Sequence, residues 1–217
     1  MKTALVIGGT GLVGKELIKL LLENENYCKV LMFVRRKSGM QHPKLQEHVI
    51  DFSLPETWQE LVKGDVLFSS LGTTIKAAKT KHRQFEVDFT YQYNFAKIAA
   101  SNGVKDYVLV SSIGANSRSP FFYMQMKGKL DDAVVSLPFH KISILRPAQL
   151  VGERNEKRFG EGMSLKISRL LIKAGIMKNR FPIEGKTVAQ AMIASLDCGD
   201  KITIYTANEL FTLADKK

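Results

Sequence analysis

The chain has 217 residues, of which 45% are hydrophobic and 24% charged. These proportions are those of an ordinary soluble globular protein, and they exclude wholesale disorder and collagen-like repeats. The formal net charge of +11 suggests an anionic partner but says nothing about the fold. Two cysteines, Cys28 and Cys198, are too few for a disulfide framework and favour a reducing, cytoplasmic location. No apolar run reaches the ~18 residues of a membrane span.

Short apolar runs alternate with longer helical patterns, and this alternation predicts a parallel sheet with crossover helices. Several runs are apolar throughout, as strands covered on both faces should be. The predicted strands are residues 4–7, 30–34, 48–50, 66–69, 107–110, 142–145 and 201–205. The predicted helices are residues 12–22, 85–102, 123–137, 164–174 and 187–196. The sequence therefore predicts one domain over residues 1–217, a doubly wound α/β Rossmann fold of three layers, with a small substrate-facing region around 152–186.

A glycine-rich turn follows the first predicted strand directly. Its glycines have G-x-x-G-x-x-G spacing: Gly8 permits a tight turn, Gly11 lets the backbone approach a diphosphate, and Gly14 lets the helix pack closely on the strand. The N–H groups at the start of the helix can then bind the phosphates. The alternative is a tight turn with no ligand, but the position between a strand and a helix favours a dinucleotide site. The residues expected to hold the dinucleotide here are Gly8, Thr10, Gly11, Leu12, Val13 and Gly14.

The end of the second predicted strand indicates which dinucleotide is bound. An NAD site usually places an acid there for the ribose 2′-hydroxyl, whereas this chain has Arg35, Arg36 and Lys37. A guanidinium can pair bidentately with a 2′-phosphate. We therefore expect NADP, with Arg35 on the 2′-phosphate and Arg36 against the adenine; the alternative is a solvated basic turn.

Two further loops leave strand ends on the same side of the sheet. The first carries Asp51 and Phe52 and can meet the adenine edge. The second consists of small residues that let a ribose lie against the backbone. Both are equally compatible with ordinary loop chemistry. The residues of the second loop are Ser70, Leu71, Gly72 and Thr73.

A serine, a tyrosine and a lysine form the candidate catalytic group. Ser111 and Ser112 end the fifth predicted strand, and Tyr123 and Lys127 share one helical face at i and i+4. A nearby ammonium favours the phenolate form of a tyrosine, and a serine hydroxyl can hold the substrate oxygen beside the phenol. The alternative is a surface lysine next to a core-facing tyrosine. The order of cofactor turn, serine and then tyrosine–lysine favours catalysis.

These motifs resemble the short-chain dehydrogenase/reductase superfamily. The form of the glycine turn, the small size and Arg146-Pro147 after the sixth strand are closest to its atypical branch. Within that branch, residues 111–116 and 123–127 are similar to the NADPH-binding proteins related to the Tat-interacting protein TIP30. The resemblance covers about residues 3–210.

The resemblance implies a role for each candidate residue. Tyr123 is the expected general acid/base, Lys127 tunes it and binds ribose, and Ser112 orients the carbonyl. The interval between Ser112 and Tyr123 is shorter than in many members, which leaves Ser111 as the alternative substrate-facing serine. The segment that contains Pro147 and Leu150 is expected beside the nicotinamide, and Ser111, Tyr123 and Lys127 are expected to contact the cofactor as well. Some members of the atypical branch bind the cofactor without established turnover.

Two functions follow as hypotheses. The first is an NADPH-dependent oxidoreductase acting on a small-molecule carbonyl, and the second is a non-catalytic NADP(H)-binding regulator or redox sensor that acts through protein contacts. No metal site is expected, because the four histidines are scattered. Nucleic acid is not an expected partner, because the basic stretch after the fourth strand lacks interleaved aromatics. That stretch consists of Lys76, Lys79, Lys81, His82 and Arg83. A monomer or a homodimer is expected.

Overall fold

The computed structural model describes residues 1–151 and 182–216. Within them, a parallel sheet contains β1 (Lys2–Ile7), β2 (Tyr27–Val34), β3 (Leu45–Val49), β4 (Val66–Ser69), β5 (Asp106–Val110), β6 (Lys141–Arg146) and β9 (Ile202–Thr206). A separate pair of short parallel strands consists of β7 (Leu150–Val151) and β8 (Ile183–Glu184). The strand order of the large sheet is β3-β2-β1-β4-β5-β6-β9. The order reverses between β1 and β4, and ligands of such folds bind at the carboxyl ends of the strands beside this point.

Helices cover both faces of the sheet. They are α1 (Leu12–Glu23), α2 (Ile75–Ala78), α3 (Lys81–Phe85), α4 (Tyr91–Ser101), α5 (Phe122–Val134), α6 (Gly185–Ala194) and α7 (Ala207–Ala214). A π-helical turn, Glu86–Thr90, joins α3 to α4. The helix predicted at 164–174 lies outside the described residues, as does most of the predicted substrate-facing region. None of the helices in the described part of the chain has the length and apolarity needed to cross a bilayer.

Strand β1 shows why the sheet is covered on both sides. Its apolar residues are fully buried and alternate between two clusters: Ala4 and Val6 face α1, α6 and α7, whereas Leu5 and Ile7 face α4 and α5. Because side chains alternate across a strand, an unbroken apolar run requires an apolar layer on each face. The predicted three-layer Rossmann fold is confirmed.

The observed elements differ from the predicted ones in several places. The helix predicted from residue 85 begins at Lys81 and contains the π turn. Helix α7 was not predicted, and its start is fixed by a capping box in which the Thr206 N–H and hydroxyl both donate to Glu209, each at 2.7 Å. The strands β7 and β8 also went unpredicted, because two residues each are too short to show a hydrophobic period.

Candidate functional site

The glycine turn after β1 has no space for a side chain at position 8 or at position 14. Gly8 has φ +81°, and a Cβ built on it would lie 2.4 Å from both the Leu71 nitrogen and the Ser70 carbonyl carbon. A Cβ on Gly14 would lie 2.1 Å from the Gly8 oxygen, so helix α1 packs directly on the turn. The Gly11 N–H donates to the Gly8 oxygen at 2.9 Å and closes the turn. The turn therefore needs glycine at positions 8 and 14.

Helix α1 begins at this turn with free hydrogen-bonding capacity. Gly11 is its N-cap, no side chain caps it, and its first turn holds no acidic residue. Its first N–H groups and the positive end of its dipole are therefore available to an anion. Together with the absence of side chains at Gly8 and Gly14, this is the geometry that a dinucleotide diphosphate requires, and the residues fit such a group.

The two predicted arginines lie at the carboxyl end of β2. Arg35 and Arg36 are exposed, and neither forms an ion pair with another described residue. Glu47 on β3 is engaged by Ser38, whose N–H donates to the two carboxylate oxygens at 3.0 and 3.1 Å and whose hydroxyl donates to Oε2. The guanidinium groups are therefore available to an anionic ligand.

The loop after β3 places its two predicted residues differently. Asp51 is exposed, and its carboxylate accepts the hydroxyl and the N–H of Ser53 at 2.6 and 2.9 Å. These hydrogen bonds hold the pKa of Asp51 below its usual value. The Phe52 ring is buried and packs on Trp58 and Tyr91, with ring centroids 6.3 and 5.8 Å away. The ring serves the core, and only the backbone of Phe52 is left to face a ligand.

The loop after β4 is held against the glycine turn. The Ser70 N–H donates to the Ile7 oxygen at 3.0 Å, and its hydroxyl lies 3.3 Å from the Gly8 oxygen. The Thr73 N–H donates to the carboxylate of Asp88 at 2.8 Å. The structure therefore brings the glycine turn and the loop after β4 together.

The two serines at the end of β5 have different surroundings. Ser111 is buried near Asp131, and its Oγ makes no hydrogen bond of normal geometry with a described residue. Ser112 is half-buried, and its hydroxyl donates to the Ile113 carbonyl at 3.3 Å. The Ile113 N–H donates to the Pro147 oxygen at 3.0 Å, which joins the carboxyl ends of β5 and β6. Ser112 is thus the more accessible of the pair.

Tyr123 and Lys127 occupy the first two turns of α5, as predicted. Tyr123 is 41% exposed, whereas Lys127 is only 3% exposed. The Lys127 Nζ lies 3.6 Å from Oδ1 of Asp88, which is itself 1% exposed. Burial alone lowers the pKa of Lys127, but its electrostatic interactions, the largest of them with Asp88, outweigh burial and hold that pKa above its ordinary value. The lysine is therefore a buried ammonium beside an accessible phenol.

Helix α5 is brought close to the end of β5 by a glycine that sequence reasoning missed. A Cβ on Gly128 would lie 2.2 Å from both the Asn116 carbonyl carbon and the Ser117 nitrogen, so the loop after β5 lies directly on the helix. A lone glycine inside a helical pattern lowers helix propensity and gives no sign of what it contacts. Its close contact helps to hold the serine strand end beside the tyrosine helix.

A second ion pair was also missed and lies beneath the site. Both Nε and Nη2 of Arg146 lie 2.9 Å from Oδ2 of Asp131, which is buried one turn beyond Lys127. Burial raises the pKa of Asp131, and the guanidinium of Arg146 opposes that rise. The pair joins α5 to the end of β6. No group of three or more possible metal-ligating side chains occurs within the described ranges.

Comparison with known proteins identifies the family. A family model described as NAD(P)H-binding matches residues 8–198. "Protein FMP52, mitochondrial" from Kluyveromyces lactis is 35% identical over 99% of this chain and 99% of its own length. The protein of the same name from Candida albicans is 31% identical over 97% of each.

Solved structures share the fold. The Bordetella bronchiseptica enzyme WbmH, in complex with NAD+, superposes with a TM-score of 0.73 at 18% identity, covering 95% of this chain and 75% of that one. The Helicobacter pylori ADP-L-glycero-D-manno-heptose-6-epimerase gives a TM-score of 0.72 at 20% identity, covering 99% and 82%. The predicted Rossmann fold is confirmed, and the match to the NAD(P)H-binding family fits the predicted atypical short-chain dehydrogenase/reductase class. The closer relation to the TIP30 proteins stays a prediction.

The comparisons contradict one expectation. The predicted cytoplasmic location is wrong, because curated relatives 31–35% identical across most of the chain are named mitochondrial. A low cysteine count indicates a reducing environment but does not distinguish one reducing compartment from another. By the match over residues 8–198 and the full-length relatives, the chain belongs to the NAD(P)H-binding family that includes the mitochondrial FMP52 proteins.

Proposed function

We propose that this protein is an NADPH-dependent oxidoreductase that reduces a carbonyl group. The observation that carries the proposal is the arrangement on α5, where Lys127, whose side chain is buried, follows the accessible Tyr123 by one helical turn. A positive charge near a tyrosine favours the phenolate form, through which a tyrosine exchanges protons with a substrate. The uncapped start of α1, on the same edge of the sheet, supports a dinucleotide beside this pair.

Each residue has a defined task in the proposed reaction. When bound, NADPH supplies a hydride to the carbonyl carbon. The Tyr123 hydroxyl donates its proton to the substrate oxygen. The carbonyl thus gains one hydride at carbon and one proton at oxygen, and it leaves as an alcohol. Lys127 stabilises the resulting phenolate until solvent returns the proton. Ser112, or Ser111 if it is the serine that turns towards the substrate, holds the substrate oxygen.

The remaining cofactor contacts belong to the same proposal. The turn residues bind the diphosphate, Arg36 and the backbone near Asp51 flank the adenine, and the loop after β4 carries a ribose. The segment with Pro147 and Leu150 lies beside the nicotinamide, which is consistent with the hydrogen bond between Pro147 and the end of β5. Arg35 binds the 2′-phosphate.

The preference for NADPH is tested by replacing Arg35 with alanine. We expect the Kd for NADPH to rise about 10–100-fold, because a charge-assisted hydrogen bond contributes about 1.5–3 kcal/mol. The Kd for NADH should change by less than about 3-fold, since NADH has no 2′-phosphate. Isothermal titration calorimetry with both nucleotides measures the two values.

The control for this variant is Lys29→Ala, which removes one positive charge from the exposed part of β2. It should leave both affinities within about 2-fold, because screened charges at a distance contribute little. Equal losses for NADPH and NADH in Arg35→Ala would remove the 2′-phosphate role.

Turnover is tested by following NADPH absorbance at 340 nm with a panel of aldehydes, ketones and quinones. We expect at least one member of the panel to be reduced in proportion to the NADPH consumed. Tight NADPH binding with no turnover across the panel would instead favour the second function, a non-catalytic NADP(H)-binding regulator. One observation favours that alternative: the Ser112 hydroxyl donates to the Ile113 carbonyl. Its proton is therefore not available to a substrate oxygen in this arrangement.

A further inference from the structure

Asp88 is a buried acid that the sequence analysis did not single out. We propose that it is a positioning residue of the site. Its carboxylate holds the Lys127 ammonium and the Thr73 backbone at the same time, and it thereby fixes the cofactor loop after β4 relative to α5, the helix that carries Tyr123 and Lys127. The inference rests on the proposed function for its catalytic meaning, because Lys127 acts there on Tyr123. The pairing of Asp88 with Lys127 can be tested without any substrate.

The two carboxylate oxygens of Asp88 have separate partners. Oδ1 lies 3.6 Å from the Lys127 Nζ, and Oδ2 accepts the Thr73 N–H at 2.8 Å. Both side chains of the ion pair are almost fully buried, so water screens their attraction little. An asparagine at this position can still accept the Thr73 N–H, but it carries no charge for the lysine. The Asp88→Asn variant therefore separates the electrostatic role from the hydrogen bond to the loop.

The backbone around Asp88 is built to hold it in place. The helical run from α3 to α4 widens into the π turn at this residue, and π turns are frequent at functional sites. The Gln92 side-chain amide donates to the Asp88 carbonyl at 2.7 Å, and the Ser69 hydroxyl donates to the Gln92 side-chain oxygen at 2.7 Å. All three side chains are buried. This chain of hydrogen bonds ties Asp88 to the end of β4, beside the cofactor loop.

Asp88 is the acid whose carboxylate forms the ion pair with the Lys127 ammonium. The charged and titratable groups facing the ammonium are Asp88 from the π turn, with Tyr123 and Asp131 from α5. Asp131 is already bound by Arg146 at 2.9 Å from the end of β6. If Asp88 lost its charge, burial would act on the ammonium with less opposition, and Lys127 would release its proton at a lower pH.

The test is a direct titration of Lys127 in the intact protein. The protein is labelled with 13C,15N-lysine, and the Lys127 signal is assigned by its absence from Lys127→Met. We expect the midpoint of this signal to fall by about 1–3 pH units in Asp88→Asn, the usual effect of losing an opposite charge within ~4–6 Å. The control is Asp132→Asn, which removes one negative charge from the exposed side of α5 and should leave the midpoint within about 0.3 units. An unchanged midpoint in Asp88→Asn would overturn the proposal.

A second comparison keeps the proposal testable if Asp88→Asn is too unstable to titrate. The double variant Asp88→Asn/Lys127→Met removes both charges, so it leaves no buried ammonium without a partner. We expect it to melt at a higher temperature than Asp88→Asn alone, or to fold where the single variant does not. The pairing would be overturned if the double variant lost as much stability as the two single variants together. It would also be overturned if the double variant were as unfolded as Asp88→Asn.

The outcomes distinguish this inference from the proposed function. If the wild-type protein reduces carbonyls but the Lys127 midpoint is unchanged in Asp88→Asn, only the role of Asp88 is removed. A lowered midpoint in a protein without turnover keeps the Asp88 pairing and removes the catalytic assignment.

Discussion

Replacing Gly8 by alanine is expected to abolish NADPH binding and to lower the free energy of unfolding by roughly 2–5 kcal/mol. Two effects add. A φ of +81° costs an L-residue about 1–2 kcal/mol, and the new methyl group would lie 2.4 Å from the backbone at Ser70 and Leu71, where no flexible side chain can move aside. Because that backbone belongs to the loop after β4, relieving the contact displaces this loop and the glycine turn. Chemical denaturation and calorimetry with NADPH measure the two losses.

Gly103 provides a matched control on the opposite edge of the sheet. Its φ is also +81°, but a Cβ built on it would meet nothing within 4 Å. We expect Gly103→Ala to lose about 1–2 kcal/mol of unfolding free energy from backbone strain alone and to bind NADPH as the wild type does. Equal NADPH affinity in the two variants would show that the close approach of the loops at Gly8 has no part in binding.

Replacing Tyr123 by phenylalanine is expected to lower kcat by about 10²–10⁴-fold, which is the usual contribution of a positioned general acid. The Kd for NADPH should change by less than about 3-fold, because the phenol acts on the substrate oxygen and Lys127 keeps its ion pair with Asp88. The measurement is single-turnover NADPH oxidation with a carbonyl that the wild-type protein reduces, together with calorimetry of NADPH binding.

Tyr93→Phe is the control for the loss of a tyrosine hydroxyl. Tyr93 lies on α4, where its ring stacks on Phe89 with centroids 5.9 Å apart, and it has no role in the proposed site. Its variant should retain wild-type turnover. If Tyr123→Phe also retained wild-type turnover, the catalytic assignment of Tyr123 would be lost and the protonation step would need another donor.

The features predicted well from sequence are those set by local backbone chemistry. Gly8 and Gly14 could be assigned because a crowded turn between a strand and a helix excludes side chains. The strands were found because their apolar runs need cover on both faces. Tyr123 and Lys127 could be placed on one face because an i, i+4 spacing fixes that geometry.

The features missed depend on tertiary contacts that leave no mark on neighbouring residues. Asp88 is one of two acids in the π turn, and only the folded structure shows that it pairs with Lys127 on α5. The Asp131–Arg146 pair likewise joins a helix to a strand end. Phe52 lies in a loop that was expected to meet the adenine, yet the contacts of its ring with Trp58 place it in the core. Burial of this kind cannot be deduced from spacing.

The most direct test of the account is calorimetric titration of the pure wild-type protein with NADPH, NADP+, NADH and NAD+. We expect saturable heat with NADPH and NADP+, and binding at least about 10-fold weaker with the two nucleotides that lack the 2′-phosphate. An absence of binding heat with all four nucleotides would contradict the central claim that the turn from Gly8 to Gly14 holds a dinucleotide.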